Sequence, residues 1–323
     1  MEIMKDNFKF SARNGVKVRQ KPNLGVNTRP PINLFMPHGV GIDSNTNNIF
    51  ITDSEHNVIK KFTNNGVLIK SWGGPGTSNG KFSHPNDVAV DSTGNVFVTD
   101  GYNHRIQKFH LSNVCPAGTI QVTIGICFVK SWGMEGTGDG QFGYPHGIVI
   151  DSTDNVFVVD RWNMRVQKFD NDGNYITKWG SWGTGQGEFQ NPDVIALNPK
   201  TDQVYVHDSD NYRIQKFDND GNYIMSWGAQ GAGDGQFGNV YGIAVDPKTG
   251  HVYVSDTSTA RIQKFTKNGG FVTSWGGYGT TDGKFNTQTD LDVDSTGNIF
   301  VADTNNHRIQ TFDKHGNFIS KFQ

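Results

Sequence analysis

The chain has 323 residues, a net charge of −2, 34% hydrophobic residues and 40 glycines. That balance excludes a broadly basic nucleic-acid footprint, and no apolar run approaches the roughly 20 residues of a membrane-spanning helix. The glycine load favours many short strands with tight turns over one large helical core.

In chain order, the opening MEIMKDNFKF lacks the apolar core of a signal peptide. Residues 1–30 match no later segment. FKF (8–10) and VKV (16–18) flank SARNG, so a hairpin that pads an edge of the main domain is expected here. From 31 to 323 the chain repeats. The rows ITDSEHNVIKKF, VTDGYNHRIQKF, VVDRWNMRVQKF, VHDSDNYRIQKF, VSDTSTARIQKF and VADTNNHRIQTF align on Asp53, Asp100, Asp160, Asp208, Asp256 and Asp303. These lie 47, 60, 48, 48 and 47 residues apart, so one unit carries an insertion. Each unit reads as four short alternating strands. An apolar run closed by aspartate, such as DVAVD (87–91), comes first, then the run into the anchor aspartate, then the RIQKF stretch, then a strand such as YIMSWG. STGN, NDGN and glycine-rich loops punctuate them. Four strands in about 47 residues is the size of a propeller blade. The fold class is therefore all-β: a six-bladed β-propeller of four-stranded antiparallel blades. Unit six holds all four of its strands, down to NFISKF, so closure needs no strand exchange.

NHRIQKF, with aspartate three residues upstream of its asparagine, and the linker G-x-x-G-x-x-x-G-x-F resemble the NHL repeat over nearly the whole of 33–323. The resemblance implies a six-bladed ring. Arg105, Arg165, Arg213, Arg261 and Arg308 occupy one repeat position and read as scaffold partners of the anchor aspartates. Val58 stands there in unit one. Trp72, Trp132, Trp179, Trp227 and Trp275 also recur and read as packing residues. DNDGN at 170–174 and 218–222 lacks the closing glutamate of a calcium loop and reads as a turn.

The insertion, at about 110–128, contains IQVTIGICFV, which should extend a hairpin. Cys115 and Cys127 either meet across paired strands as a disulfide or remain two buried thiols. A disulfide, with a leader missing from this chain, would place the protein outside the cell or at its surface.

The start of strand one and the end of strand two share one end of an antiparallel blade. Two sets of variable positions thus converge on one face. The first is His38, Asn86, His146, Asp193, Tyr241 and Thr289. The second follows the anchors: Ser54, Gly101, Arg161, Ser209, Thr257 and Thr304, then Glu55, Tyr102, Trp162, Asp210, Ser258 and Asn305. Candidate ligand contacts are Asn86, Asp193, Tyr241, Trp162, Glu55 and Asp210.

His38 and His146 both lie in PHG, in alternate units. With TDGYN (99–103) and VDRWN (159–163) they resemble the peptidyl-α-hydroxyglycine α-amidating lyases. That resemblance implies a divalent metal such as zinc on His38 and His146, flanked by catalytic Tyr102 and Arg161. The chain departs in unit five, where Tyr241 stands in place of the third histidine and Gly242 in place of the acidic residue after it. The first functional reading is a non-catalytic binding or scaffold propeller that holds a protein, peptide or glycan on its loop face. The alternatives are a metal-dependent lyase and an RNA-binding NHL domain. Glu55, Asp193 and Asp210 on the same face oppose RNA.

Overall fold

The structure is a computed structural model that describes residues 34–323. The hairpin expected within 1–30 lies outside the described residues. The remainder is a ring of six antiparallel blades, each built from consecutive strands. The inner strands are Pro37–Ile42, Pro85–Val90, Pro145–Ile150, Pro192–Asn198, Val240–Val245 and Gln288–Val293. Each packs against the inner strand of the next blade, and the sixth packs against the first.

The repeat motif earns its spacing at the end of each second strand. In blade two Asp100 is wholly buried. Arg105 Nε donates to its carboxylate at 2.8 Å, and Nη2 donates to the carbonyl oxygens of Ser78 and Lys81 in the glycine-rich linker. Asn103 and Gln107 also donate to the Asp100 carboxylate. Thus NHRIQKF sews a blade to the linker entering it, around a charge that would be costly to bury alone. Arg165, Arg213, Arg261 and Arg308 repeat the contact at 2.6–3.4 Å. In blade one, where Val58 replaces the arginine, Lys60 supplies the charge from two residues further on, 2.6 Å from Asp53, and His56 lies 3.1 Å from it.

The tryptophans pack between blades. The turn glycine of the outer hairpin has positive φ, and a Cβ on Gly173 (φ +76°) would lie 2.6 Å from the Trp132 ring of the preceding blade. Gly221, Gly269 and Gly316 sit likewise on Trp179, Trp227 and Trp275. At the closing seam Phe322 takes the tryptophan's place against Gly66. Only glycine combines that backbone with so close an approach.

The seam between blades six and one is closed without strand exchange, as the sequence indicated. Asp290 Oδ2 accepts from Val40 N at 2.8 Å and Asp292 Oδ2 from Ile42 N at 2.9 Å. Thr304 Oγ1 donates to the Pro37 carbonyl at 2.7 Å.

Blade two differs from the expected four strands. The insertion adds a fifth, Ile120–Thr123, outside Ile126–Trp132. Cys115 and Cys127 form a disulfide, with 5.5 Å between Cα atoms. It does not cross paired strands: Cys115 lies in the loop before the added strand, and only Cys127 is on a strand. No helix among the described residues is long and apolar enough to cross a membrane.

Candidate functional site

Strand register brings the two sequence-derived sets together. The first residue of each inner strand pairs with the anchor aspartate, for example Pro37 with Asp53 and Pro145 with Asp160. A third set joins them that sequence reasoning missed: the residue just before each inner strand. Met36, His84, Tyr144, Asn191 and Thr287 all have φ between 56° and 63°. Four of the five precede proline, where extended backbone is the usual choice. An acceptor from the preceding blade holds the unusual turn: His84 N donates to Asn57 Oδ1 at 2.7 Å and Tyr144 N to His104 Nδ1 at 3.3 Å. The signal in the sequence was the pair HP and YP ahead of strand one.

The rings that result form an arc on blades one to three. His38 lies 5.6 Å from His146 and 6.2 Å from His84, centroid to centroid. His84 lies 5.3 Å from Tyr102, and Tyr102 lies 5.1 Å from Tyr144. Tyr144 is stacked on Trp162 at 5.0 Å and 16°. Tyr102 and Trp162 are each 55% exposed, whereas Tyr144 is buried beneath them. Large rings on open surface, backed by buried rings, make a ledge for a ligand with an apolar face.

His38 Nδ1 meets the Asn86 carbonyl and His146 Nδ1 the Asp193 carbonyl, both at 3.0 Å. A carbonyl can only accept, so each Nδ1 carries the proton and each neutral ring keeps an unprotonated Nε2. The His38 side chain keeps a little exposed surface, but surrounding atoms crowd it. Burial lowers its pKa to about 4, against the raising effect of the Asn86 carbonyl. Burial, then His38, lowers His146 to about 3. Burial also raises the Tyr144 phenol. Both imidazoles are therefore neutral at pH 7.

Other predicted contacts are placed differently. Asn86 is wholly buried; its Nδ2 donates to the Pro145 carbonyl at 2.9 Å, and its Oδ1 accepts from His84 and Tyr144. Asp193 is 1% exposed, and its carboxylate binds His207 Nδ1 at 2.8 Å and Val194 N. Both side chains are engaged within the wall of the mouth. Glu55 and Asp210 are exposed at the rim, and Tyr241 is partly exposed on blade five. Arg161 Nε donates to Asn191 Oδ1 at 2.7 Å. Ser54, Thr257 and Thr304, at its position in other blades, each cap a carbonyl of the next inner strand.

The lyase-like metal set is incomplete. His38 and His146 fit as two nitrogen ligands, Tyr241 brings no imidazole, and the Asp193 carboxylate is already engaged. Among the described residues no group of three or more His, Cys, Asp or Glu forms a metal centre. A cavity of about 300 Å³ lies deeper in the channel, with aliphatic walls broken by Asp87, Asp290 and Asp292. Burial raises Asp87 and Asp292 to about 7 and Asp290 well above the usual range. Their oxygens accept backbone N–H groups of the inner strands.

The NHL repeat matches residues 82–109, 142–169, 237–265 and 289–312, in blades two, three, five and six. Four blades of this propeller carry NHL repeats. Among relatives of this NHL propeller, the peptidylglycine alpha-amidating monooxygenase of Rattus norvegicus is 39% identical over 154 residues, 43% of this chain and 14% of that protein. NHL repeat-containing protein 3 of Homo sapiens is 30% identical over 152 residues, 42% of this chain and 40% of that protein. A probable peptidyl-alpha-hydroxyglycine alpha-amidating lyase of Caenorhabditis elegans is 34% identical over 142 residues, 42% and 37% of the two chains. The matched stretches span two fifths or less of these relatives. Two solved structures share the fold alone. A virginiamycin B lyase from Staphylococcus aureus has a TM-score of 0.59 at 13% identity, over 90% of this chain and 85% of that one. A gluconolactonase from Xanthomonas campestris has 0.57 at 13%, over 84% of each chain.

Proposed function

We propose that this NHL propeller is a binding module that holds a peptide segment of a partner at the mouth built by blades one to three. The observation that carries the reading is the asymmetry of the mouth. Blades one to three bring His38, His84, Tyr102, Tyr144, His146 and Trp162 into one arc. Blades four to six present Ser209, Thr257, Ser258, Thr304 and Asn305 at the matching positions, with Tyr241 the one aromatic residue among them. A rigid ring with one apolar, half-exposed sector suits recognition of an extended segment. Selection of random displayed peptides on the intact chain tests this. Enriched peptides should lose binding to the Tyr102→Ala, Trp162→Ala double variant. Equal binding to that variant, or no enrichment, refutes the reading.

A second reading, a metal-dependent lyase, is favoured by the amidating-lyase relatives and by His38, His146, Tyr102 and Arg161 sharing one mouth. It expects zinc in the purified chain, lost in His38→Ala and His146→Ala, and turnover of a peptidyl-α-hydroxyglycine that Tyr102→Phe abolishes. Absence of bound metal at saturating zinc rejects it.

A further inference from the structure

Five blades hold a lysine over the ring that their second strand presents. Lys61, Lys108, Lys168, Lys216 and Lys264 place Nζ 4.9–5.3 Å from the centroids of Phe50, Phe97, Phe157, Tyr205 and Tyr253. In four of them the ammonium also donates to a carbonyl in the outer turn of the next blade, that of Asn171, Asn219, Lys267 or Lys314, at 2.8–3.2 Å. Lys61 is the exception. The next blade is blade two, where the insertion replaces that turn, and no acceptor for Lys61 Nζ lies among the described residues. Burial lowers this ammonium below its usual range, against the pull of Asp43.

Lys70 adds to the imbalance. It stands directly opposite Lys61 across the strands, where like charges repel. Blade two has the same pair, Lys108 opposite Lys130, and blade three compensates it. Its turn supplies the carbonyls of Asn171 and Asp172, and Asp91, Asp154 and Asp172 lie within electrostatic reach of Lys108. The insertion beside blade one offers the Ile124 carbonyl to Lys70, and residues 110–128 contain no aspartate or glutamate. Asp43 is the acid within reach of Lys61, and its carboxylate is engaged by Asn45 N and Thr46 Oγ1. Two ammonium groups and one carboxylate leave one positive charge uncompensated.

A crevice of about 190 Å³ lies between blade one and the insertion. Lys61 and Lys70 line it together with Ile69, Leu111 and Ile126, and no acid does. We infer that this crevice binds a small carboxylate on a short aliphatic stem, with its oxygens on Lys61 and its methylenes on Ile69, Leu111 and Ile126. One negative charge matches the charge left over. A phosphate monoester, with nearly two, exceeds it, and an amide leaves it standing. The site belongs to the outer strands of blade one and is separate from the mouth.

The test uses the full chain with hexanoate and hexanamide as probes, and saturation-transfer NMR and titration calorimetry read the affinities. Hexanoate should bind about tenfold more tightly than hexanamide, the scale of one charge-assisted pair. Lys61→Gln should abolish the difference and Lys61→Arg should keep part of it. Lys108→Gln removes the same charge from a lysine that already has its acceptors, and should leave the difference unchanged. The native chain gives a second readout that needs no variant. Hexanoate should slow acetylation of Lys61 by an activated ester, read by peptide mass mapping, and leave that of the exposed Lys248 as it was. Equal binding of the two probes, binding of neither, or unchanged acetylation of Lys61 overturns the inference. An equal loss in Lys108→Gln and Lys61→Gln also overturns it, because net charge would then account for the effect. Inorganic phosphate that binds more tightly than hexanoate overturns the choice of carboxylate.

Discussion

Replacing Asp292 by asparagine tests how this ring closes. The carboxylate accepts from Ile42 N across the seam at 2.9 Å and from Val293 N at 2.7 Å. Burial raises its pKa from 3.8 to about 7, although both N–H groups pull it down. In the unfolded chain the group ionises near 3.8. Between about pH 4 and pH 7, then, the folded state holds a proton that the unfolded state has lost. Stability falls as pH rises through that window, by about 1.4 kcal/mol per pH unit and about 4 kcal/mol in full. His38 and His146 act in the opposite sense below pH 6.5, because their folded pKa values are depressed to about 4 and about 3. The native chain alone therefore mixes the two trends. Asparagine keeps an oxygen for Ile42 N–H and carries no charge. Urea unfolding at a series of pH values should show the native-minus-variant stability declining steadily from about pH 4.5 to 7.5. Parallel curves for the two proteins would refute the assignment of a buried, proton-retaining carboxylate at the seam.

Lys60→Met leaves Asp53 buried beside the exposed His56 and the Phe35 N–H, without its lysine charge, and should cost about 3–5 kcal/mol in urea unfolding. Gly173→Ala forces a Cβ toward the Trp132 ring at a positive φ; a loss of about 1–3 kcal/mol with altered tryptophan fluorescence is expected. Opening Cys115–Cys127, separated by 12 residues, releases about 3 kcal/mol of chain constraint. Hydrogen exchange should then quicken across 115–128 while the other five blades keep their protection.

The blade count and the anchor network were legible because their signals are local. In blades two, three, four and six the anchor aspartate, its asparagine and its arginine lie within five residues of one another, and strand alternation repeats every two. Half of the site was legible for the same reason: register alone puts His38, Tyr102, His146, Arg161 and Trp162 at one end. His84 and Tyr144 were missed because a residue before proline is normally extended, and only an acceptor from the preceding blade holds it in the left-handed region. Asn86 and Asp193 looked like ligand contacts because they vary between repeats. Yet Gly101 leaves room for Asn86 to cap a carbonyl, and His207 takes the Asp193 carboxylate.

By itself the sequence determined six units, the order of their strands and the face on which their variable residues gather. Turns and alternation act over a few residues and need no distant partner. The tertiary structure decided which variable side chains touch. It also decided that Lys60 replaces the missing arginine, and that two aspartates of blade six close on backbone N–H groups 250 residues away. Such contacts exist only once the ring has closed, when groups from separate blades compete for the same buried donors and acceptors.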